Sequence, residues 1–262
     1  MKAEIPRVSR WLMKWFTWYG ERYVARNFHS VCLSREPVTP VIAEHTPLIV
    51  YLNHPSWWDP MICLILAAKF FSERIHYAPI DAAMLDRYRF FRKLGFFGIE
   101  PNTRRGAAHF LRTGMGVLTQ PRTALWITAQ GRFTDPRQRP VQLQPGVGHL
   151  ARRLQRGTVL PLALEYPFWE QRFPEALARW GEPISIENEP RRTASEWTGF
   201  LAQRLESAQN ALSRDARERR ITAFEMLGRG VAGVGGVYDA WRASRARLSG
   251  ESFHSEHRRT ES

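Results

Sequence analysis

The sequence predicts a single α/β domain whose mostly parallel or mixed sheet is flanked by helices, with an amphipathic helix in front of it. Short apolar runs typical of buried strands alternate with segments of helical periodicity, which is the pattern of α/β domains. A length of 262 residues suits one such domain, and a hydrophobic content of 44% is ample for its core. We therefore predict an N-terminal helix in residues 1–29, the domain in 30–225, and a glycine-rich segment with a basic disordered tail in 226–262.

Residues from about Val8 to Phe28 are predicted to form the amphipathic helix. Its polar residues recur at steps of three and four along one stripe. That stripe consists of Arg7, Arg10, Lys14, Thr17 and Glu21. Trp11, Trp15 and Trp18 widen the apolar face, and tryptophan flanked by Lys and Arg is typical of a helix that docks in a membrane interface. The same face could instead pack on the domain core.

The stretch from Tyr51 to Pro60 is the centre of the chain's organisation. An apolar run at 47–52 predicts a buried strand before it, and the apolar run 61–68 predicts a buried helix after it. His54 and Asp59 lie in the turn between them, and a tight strand-to-helix turn can bring the two side chains together. Asp59 would then hold one imidazole nitrogen while the other faces a substrate, which is the arrangement of a general base. A loop histidine beside a helix start is the alternative.

The same spacing recurs at His76 and Asp81. The surrounding segment, 73–80, is predicted to be extended, and five residues of strand span roughly 16 Å. Those two side chains could not meet, so His76 is predicted to be a strand histidine with a structural partner.

The remaining elements follow from local patterns. Strands are predicted at 74–80, 123–128, 158–165 and 181–186, and helices at 81–94 and 107–118. A capping box at Thr193 and Glu196 begins a further helix. Residues 29–45 are predicted to be irregular because Pro37 and Pro40 interrupt them. The segment 224–238 is apolar but contains five glycines, and a membrane-touching segment and a loose helical hairpin both remain open for it.

The net charge of +13 implies an anionic partner, which could be nucleic acid, an acidic protein or a membrane face. Ten Trp and fifteen Phe beside that charge favour an anionic membrane surface. No nucleic acid is expected, since no recognised binding motif is present. Cys32 and Cys63 offer neither a disulfide framework nor a metal cluster. Because no apolar run suits a span or a signal peptide, we expect a peripheral protein on the cytoplasmic face of the cell membrane.

The motif Asn53-His54-x-x-x-x-Asp59 after a strand resembles the first motif of the glycerolipid (lysophospholipid) acyltransferases. The chain is similar to that family at three further points, 95–106, 129–135 and 158–165, and the resemblance extends over about 48–186. It implies transfer of a fatty acyl group from acyl-CoA or acyl-carrier protein to a hydroxyl of a lysophospholipid or other lipid acceptor. His54 would be the general base and Asp59 would orient it, with no metal and no bound redox cofactor.

The second and third points depart from the family pattern. Pro101 stands where an arginine usually follows the acid, and Arg104 or Arg105 could supply a guanidinium from the loop beside the next helix. Two solvated loop arginines are the alternative.

In the third motif Gln130 replaces a glutamate, Gly131 matches the family glycine, and Arg132 lies one place before the usual arginine. The resemblance makes Arg104, Arg105, Gln130, Gly131 and Arg132 candidate substrate-binding residues, with backbone amides near Gly131 as oxyanion donors. These departures predict an acceptor less anionic than lysophosphatidic acid. They also leave open a catalytically inactive lipid-binding member of the fold and, from charge alone, a nucleic-acid-binding protein.

Overall fold

The computed structural model describes residues 4–231, and in that range it contains nine strands and six α-helices. The strands are β1 (Ser30–Ser34), β2 (Leu48–Leu52), β3 (Ile75–Asp81), β4 (Phe96–Ile99), β5 (Thr123–Thr128), β6 (Thr158–Glu165), β7 (Glu175–Trp180), β8 (Ile184–Ser185) and β9 (Phe224–Arg229). The helices are α1 (Arg10–Asn27), α2 (Asp59–Phe70), α3 (Ala82–Arg87), α4 (Arg104–Leu118), α5 (Gly146–Arg153) and α6 (Ala194–Arg217). Short 3-10 helices occur at Arg89–Leu94, Ile186–Asn188 and Ile221–Ala223.

The strands form one mixed sheet in the order β4-β3-β5-β2-β6-β7-β1-β9, with β8 beside β6. The first five strands of this order are mutually parallel, whereas β7 is antiparallel to β6 and β9 is antiparallel to β1. The predicted single α/β domain with a mixed sheet is therefore confirmed. Since β2 lies between β5 and β6, the carboxyl ends of three parallel strands meet at one edge, where α/β folds place their ligands.

Helices cover both faces of the sheet. On one face α6 packs with Leu201 and Leu205, together with α4 and α5. On the other face α1 and α2 pack with Val24, Ile62 and Leu66. The central strands β2 and β5 are buried almost throughout, as their apolar sequences require when helices cover the sheet on both sides.

Helix α1 is present where the amphipathic pattern predicted it. It crosses α2 closely at Gly20, where an added Cβ would lie 3.2 Å from the Leu64 side chain. Trp11, Trp15 and Trp18 point away from this contact and are 74%, 48% and 49% exposed. The helix thus packs on the domain with one side and presents its tryptophans on the other. Of the helices in residues 4–231, none combines the length and hydropathy that a membrane crossing requires.

Two predicted helices have different bounds in the structure. The predicted helix 81–94 is broken, because Tyr88 leaves the helical region with φ −122° and ψ 67° between α3 and the following 3-10 helix. The helix predicted from 107 begins earlier, at Arg104, because the Thr103 side chain accepts a hydrogen bond from the Gly106 amide and caps it. Arg104 and Arg105 are therefore helical residues rather than loop residues.

Two strand predictions also need correction, and one predicted domain boundary falls within a strand. The strand expected at 181–186 lies mainly before it, as β7, with only β8 inside the predicted range. The region 29–45 contains β1, and the domain end predicted at residue 225 falls inside β9. Both strands exist because they pair with each other at the sheet edge, a contact between distant segments that local patterns do not reveal. The glycine-rich segment and basic tail predicted for 226–262 lie outside the described residues, apart from 226–231.

Candidate active site

The loop after β2 is anchored by Asn53, which is fully buried. Its side-chain amide donates to the Leu164 carbonyl oxygen at 2.9 Å, and its side-chain oxygen accepts from the Leu164 amide at 2.8 Å. The side chain thus continues the pairing with β6 after the β2 backbone has turned away. This anchoring places the next residue, His54, at the carboxyl edge of the sheet.

His54 and Asp59 meet across the turn, as the sequence predicted. His54 Nδ1 lies 2.6 Å from Asp59 Oδ2, and the Ser56 amide donates to the same oxygen at 3.3 Å. The Asp59 side chain is fully buried, whereas the His54 side chain is 18% exposed. Asp59 is the first residue of α2, where the helix dipole favours a carboxylate. Burial raises the pKa of Asp59, and the hydrogen bonds from His54 and Tyr166 oppose that rise.

The backbone of His54 is held on both sides. Its amide donates to Gln130 Oε1 at 3.0 Å, and its carbonyl oxygen accepts from the Thr134 amide at 2.9 Å. Phe133 covers the imidazole with a ring-centroid distance of 4.3 Å. In the part of the chain that the structure describes, His54 Nε2 has no hydrogen-bond partner. The imidazole is therefore fixed through Nδ1 and its backbone, and Nε2 is the nitrogen left for a substrate.

The loop after β5 contains three of the candidate substrate-binding residues, Gln130, Gly131 and Arg132. Gln130 is buried, and its side-chain oxygen accepts the hydrogen bond of the His54 amide, so it holds the backbone of the site loop. Gly131 adopts φ +68°, and its amide donates to the Thr128 carbonyl oxygen at 3.0 Å. That amide is consequently not free to stabilise an oxyanion. An added Cβ at Gly131 would lie 2.8 Å from the Gln144 side chain, which explains the glycine. Arg132 is exposed.

Arg104 and Arg105 form the exposed first turn of α4. They lie at the same sheet edge as His54, because β4 is parallel to β2 through β3 and β5. The three strand spacings between β4 and β2 correspond to about 14 Å. Within residues 4–231 neither arginine forms an ion pair. Arg104 and Arg105 thus lie at the same edge of the sheet as His54, but within the described residues neither forms a hydrogen bond or ion pair with His54 or Asp59.

His76 has the structural role that its strand context predicted. Its Nε2 donates to the Phe71 carbonyl oxygen at 3.0 Å, and its Nδ1 accepts from Trp126 Nε1 at 3.0 Å. Burial lowers the pKa of His76 to about 4, so it is neutral over the physiological range. Both ring nitrogens are occupied, and no nitrogen remains to act as a base.

Sequence reasoning missed two aromatic neighbours of the pair. Tyr166 Oη donates to Asp59 Oδ1 at 2.7 Å, so both carboxylate oxygens accept hydrogen bonds. Its only sequence signal is its position directly after β6, at the same edge as His54. Phe133 stands one place after Arg132, where the resemblance leads one to expect arginine. This residue is 62% exposed, and its ring packs against His54 at an interplanar angle of 34°. The sequence feature that could have pointed to Phe133 is a phenylalanine at a motif position where the resemblance leads one to expect arginine.

The two tryptophans of the motif loop, Trp57 and Trp58, have different surroundings. Trp58 packs edge-on against the buried Phe28 with ring centroids 4.9 Å apart, so it closes the core beneath the loop. Trp57 stacks on Trp58 at 4.5 Å but is 55% exposed. It remains available at the surface beside the site.

Comparisons with known proteins identify the fold and the family of this chain. A solved structure, the 1-acyl-sn-glycerophosphate (LPA) acyltransferase PlsC from Thermotoga maritima, matches with a TM-score of 0.51 at 13% sequence identity, covering 78% of this chain and 80% of that one. At this identity the match shows the shared fold. No curated protein matches the sequence. The family model described as Acyltransferase matches residues 26–165, a range that contains His54, Asp59 and Gln130. Since this range is more than half of the 262 residues, the chain belongs to the acyltransferase family.

Proposed function

We propose that this protein is a peripheral membrane O-acyltransferase. It moves a fatty acyl group from acyl-CoA or acyl-carrier protein to a hydroxyl of a lysophospholipid or other lipid, and it uses no metal or bound cofactor. The observation that carries the proposal is the 2.6 Å contact between His54 Nδ1 and the buried carboxylate of Asp59. Family membership supplies acyl transfer, and this contact supplies the base that a hydroxyl acceptor needs.

The proposed reaction is a direct transfer. Nε2 of His54 takes the proton from the acceptor hydroxyl while the hydroxyl oxygen attacks the thioester carbonyl carbon. Asp59 stabilises the imidazolium that forms. The tetrahedral intermediate then expels the thiolate, which takes the proton back from Nε2, and an ester and a free thiol result. Neither cysteine lies in the motif loop, and burial raises the pKa of both thiols, so a covalent acyl-cysteine is not part of the proposal.

Helix α1 supports docking on an anionic membrane surface. Its three exposed tryptophans lie beside basic side chains, and the Arg22 guanidinium covers the Trp18 ring at 4.1 Å. Phe16 joins α1 to the basic and aromatic 3-10 helix at 89–94, with its ring centroid 6.3 Å from that of Phe90. Phe28, directly after α1, contacts Trp58 of the motif loop. Docking through α1 would therefore bring the His54 loop close to the lipid.

Phe133 and Gln130 support an acceptor less anionic than lysophosphatidic acid. A phenylalanine ring covers His54 where the family resemblance leads one to expect arginine, and a neutral amide replaces the usual glutamate. An aromatic ring cannot make the bidentate hydrogen bonds with which arginine recognises a phosphate. We infer that a lipid hydroxyl with a less charged head group is the better acceptor.

The test is an assay of purified protein with a labelled acyl donor and a total lipid extract. We expect label in an ester-linked lipid with wild-type protein and its absence with His54→Ala. Donor hydrolysis without a labelled lipid would make the protein a thioesterase. Binding of lipid vesicles with no consumption of either acyl-CoA or acyl-carrier protein would make it an inactive lipid-binding member of the family.

A further inference from the structure

We propose that Tyr166 is a positioning residue of the acyl-transfer site, acting through Asp59 on His54. The inference rests on the proposed function of the His54–Asp59 pair. Tyr166 lies directly beyond the range matched by the family model. Nothing in the sequence motif around His54 indicates it, because 107 residues separate it from Asp59.

The contact has the geometry of a strong hydrogen bond. Tyr166 Oη lies 2.7 Å from Asp59 Oδ1, while Oδ2 of the same carboxylate is 2.6 Å from His54 Nδ1. The phenol can only be the donor toward a carboxylate. Burial, followed by the charge of Asp59, raises the pKa of Tyr166 well above its usual value, so its proton stays in place. The three side chains form a continuous chain of hydrogen bonds from phenol to carboxylate to imidazole.

The surroundings of Tyr166 hold this chain in one orientation. Its ring packs against the buried Phe28 with a centroid distance of 5.6 Å, and its backbone directly follows β6 at the sheet edge. The Asp59 side chain is fully buried, so solvent water does not reach its oxygens to replace the hydrogen bond from the phenol. The Oδ1 hydrogen bond therefore fixes the rotation of the carboxylate plane, and with it the direction in which Oδ2 meets Nδ1.

The phenol also lowers the proton affinity of the Asp59 carboxylate. A hydrogen bond donated to the charged form of a carboxylate lowers its affinity for a proton. The titratable groups that face Asp59 in the described part of the chain are His54, Tyr166 and Cys63. Burial raises the pKa of the Cys63 thiol well above its ordinary value, which leaves it neutral. Removal of the phenol hydroxyl would thus make the His54–Asp59 pair take up a proton at higher pH, whichever of the two groups carries it.

The test compares Tyr166→Phe with Tyr51→Phe. Tyr51 is the matched control because its buried hydroxyl also donates one hydrogen bond, to the Leu201 carbonyl oxygen at 3.0 Å, and its side chain packs on the opposite face of the sheet. The first readout needs no substrate: the downfield proton resonance of His54 Nδ1–H, assigned by its loss in His54→Ala. The second readout is kcat, KM and the pH dependence of kcat/KM for acyl transfer.

With Tyr166→Phe we expect the resonance to move and kcat to fall about ten- to a hundredfold, the range for one hydrogen bond to a charged group. KM should be unchanged, and the acid limb of kcat/KM should move to higher pH. Tyr51→Phe should change none of these. If the two variants share the wild-type resonance, the inference is overturned, whether or not transfer is measured. If wild-type protein transfers no acyl group to any lipid, the proposed function fails, and the resonance comparison still decides the role of Tyr166.

Discussion

Replacing His54 by alanine separates the two histidines that share the spacing to an aspartate. Loss of a general base lowers the transfer rate by about 10²–10⁴-fold, which corresponds to about 3–5 kcal/mol of transition-state stabilisation. The folded state loses only one hydrogen bond to a carboxylate that keeps donors from Ser56 and Tyr166. That loss costs about 1–3 kcal/mol. We therefore expect a large kinetic effect with a modest fall in Tm.

His76→Ala is the matched control, and it should show the reverse pattern. The substitution removes hydrogen bonds to Phe71 and Trp126 and leaves a gap beside a buried tryptophan. Together these cost about 2–4 kcal/mol of folding free energy. Because no free nitrogen of His76 faces the site, kcat of the folded fraction should change little.

The assay measures kcat and KM for acyl transfer at a temperature where both variants are folded, with Tm from circular dichroism. Equal losses of kcat in the two variants at equal Tm would refute the assignment of separate roles. So would a His54→Ala variant that keeps more than a tenth of the wild-type kcat, because a general base is worth more than about tenfold.

Three further predictions concern the membrane surface, the buried carboxylate and the acceptor. When the protein is sedimented with anionic vesicles, replacing Trp11, Trp15 and Trp18 together by serine should move it from the pellet to the supernatant. Phe168→Ser, which alters an exposed aromatic residue outside α1, should leave it in the pellet. Moderate salt should weaken the binding of wild-type protein without abolishing it. Asp59→Asn should lower transfer about as much as His54→Ala. Burial raises the pKa of Asp59, so the Tm of wild-type protein relative to Asp59→Asn should fall as pH rises from the ordinary value of 3.8 through that raised pKa; a difference in Tm that does not change with pH would contradict this. Wild-type protein should use lysophosphatidic acid less well than a lysolipid with a less anionic head group, and Phe133→Arg should shift that preference toward lysophosphatidic acid. A wild-type preference for lysophosphatidic acid that Arg104→Ala or Arg105→Ala removes would show that these arginines bind the phosphate instead.

The parts of the molecule that the sequence predicted are those determined by neighbours in the chain. His54 and Asp59 are five residues apart, so one turn between a strand and a helix suffices to join them. The capping box of Thr193 and Glu196 forms as predicted because its partners lie within one helical turn. The exposed tryptophans of α1 follow directly from helical periodicity.

The parts that could not be predicted depend on contacts between distant segments. Tyr166 reaches Asp59 only because β6 lies beside β2 in the sheet. β9 is a strand because it pairs with β1, and this pairing outweighs the weak strand preference of its one glycine, Gly228. The hydrogen bond between Gln130 and the His54 backbone was missed for a similar reason: 76 residues separate the two, and a motif comparison does not show where that side chain points.

The central claim is that His54 takes a proton from the acceptor hydroxyl, and the dependence of kcat/KM on pH tests it most directly. For wild-type protein we predict an acid limb in which kcat/KM falls tenfold per pH unit, because a single protonation of the His54–Asp59 pair removes the base. In His54→Ala the residual kcat/KM should lack that limb and rise continuously with hydroxide concentration. The same acid limb in wild-type protein and in His54→Ala would contradict the account, since another group would then be the base.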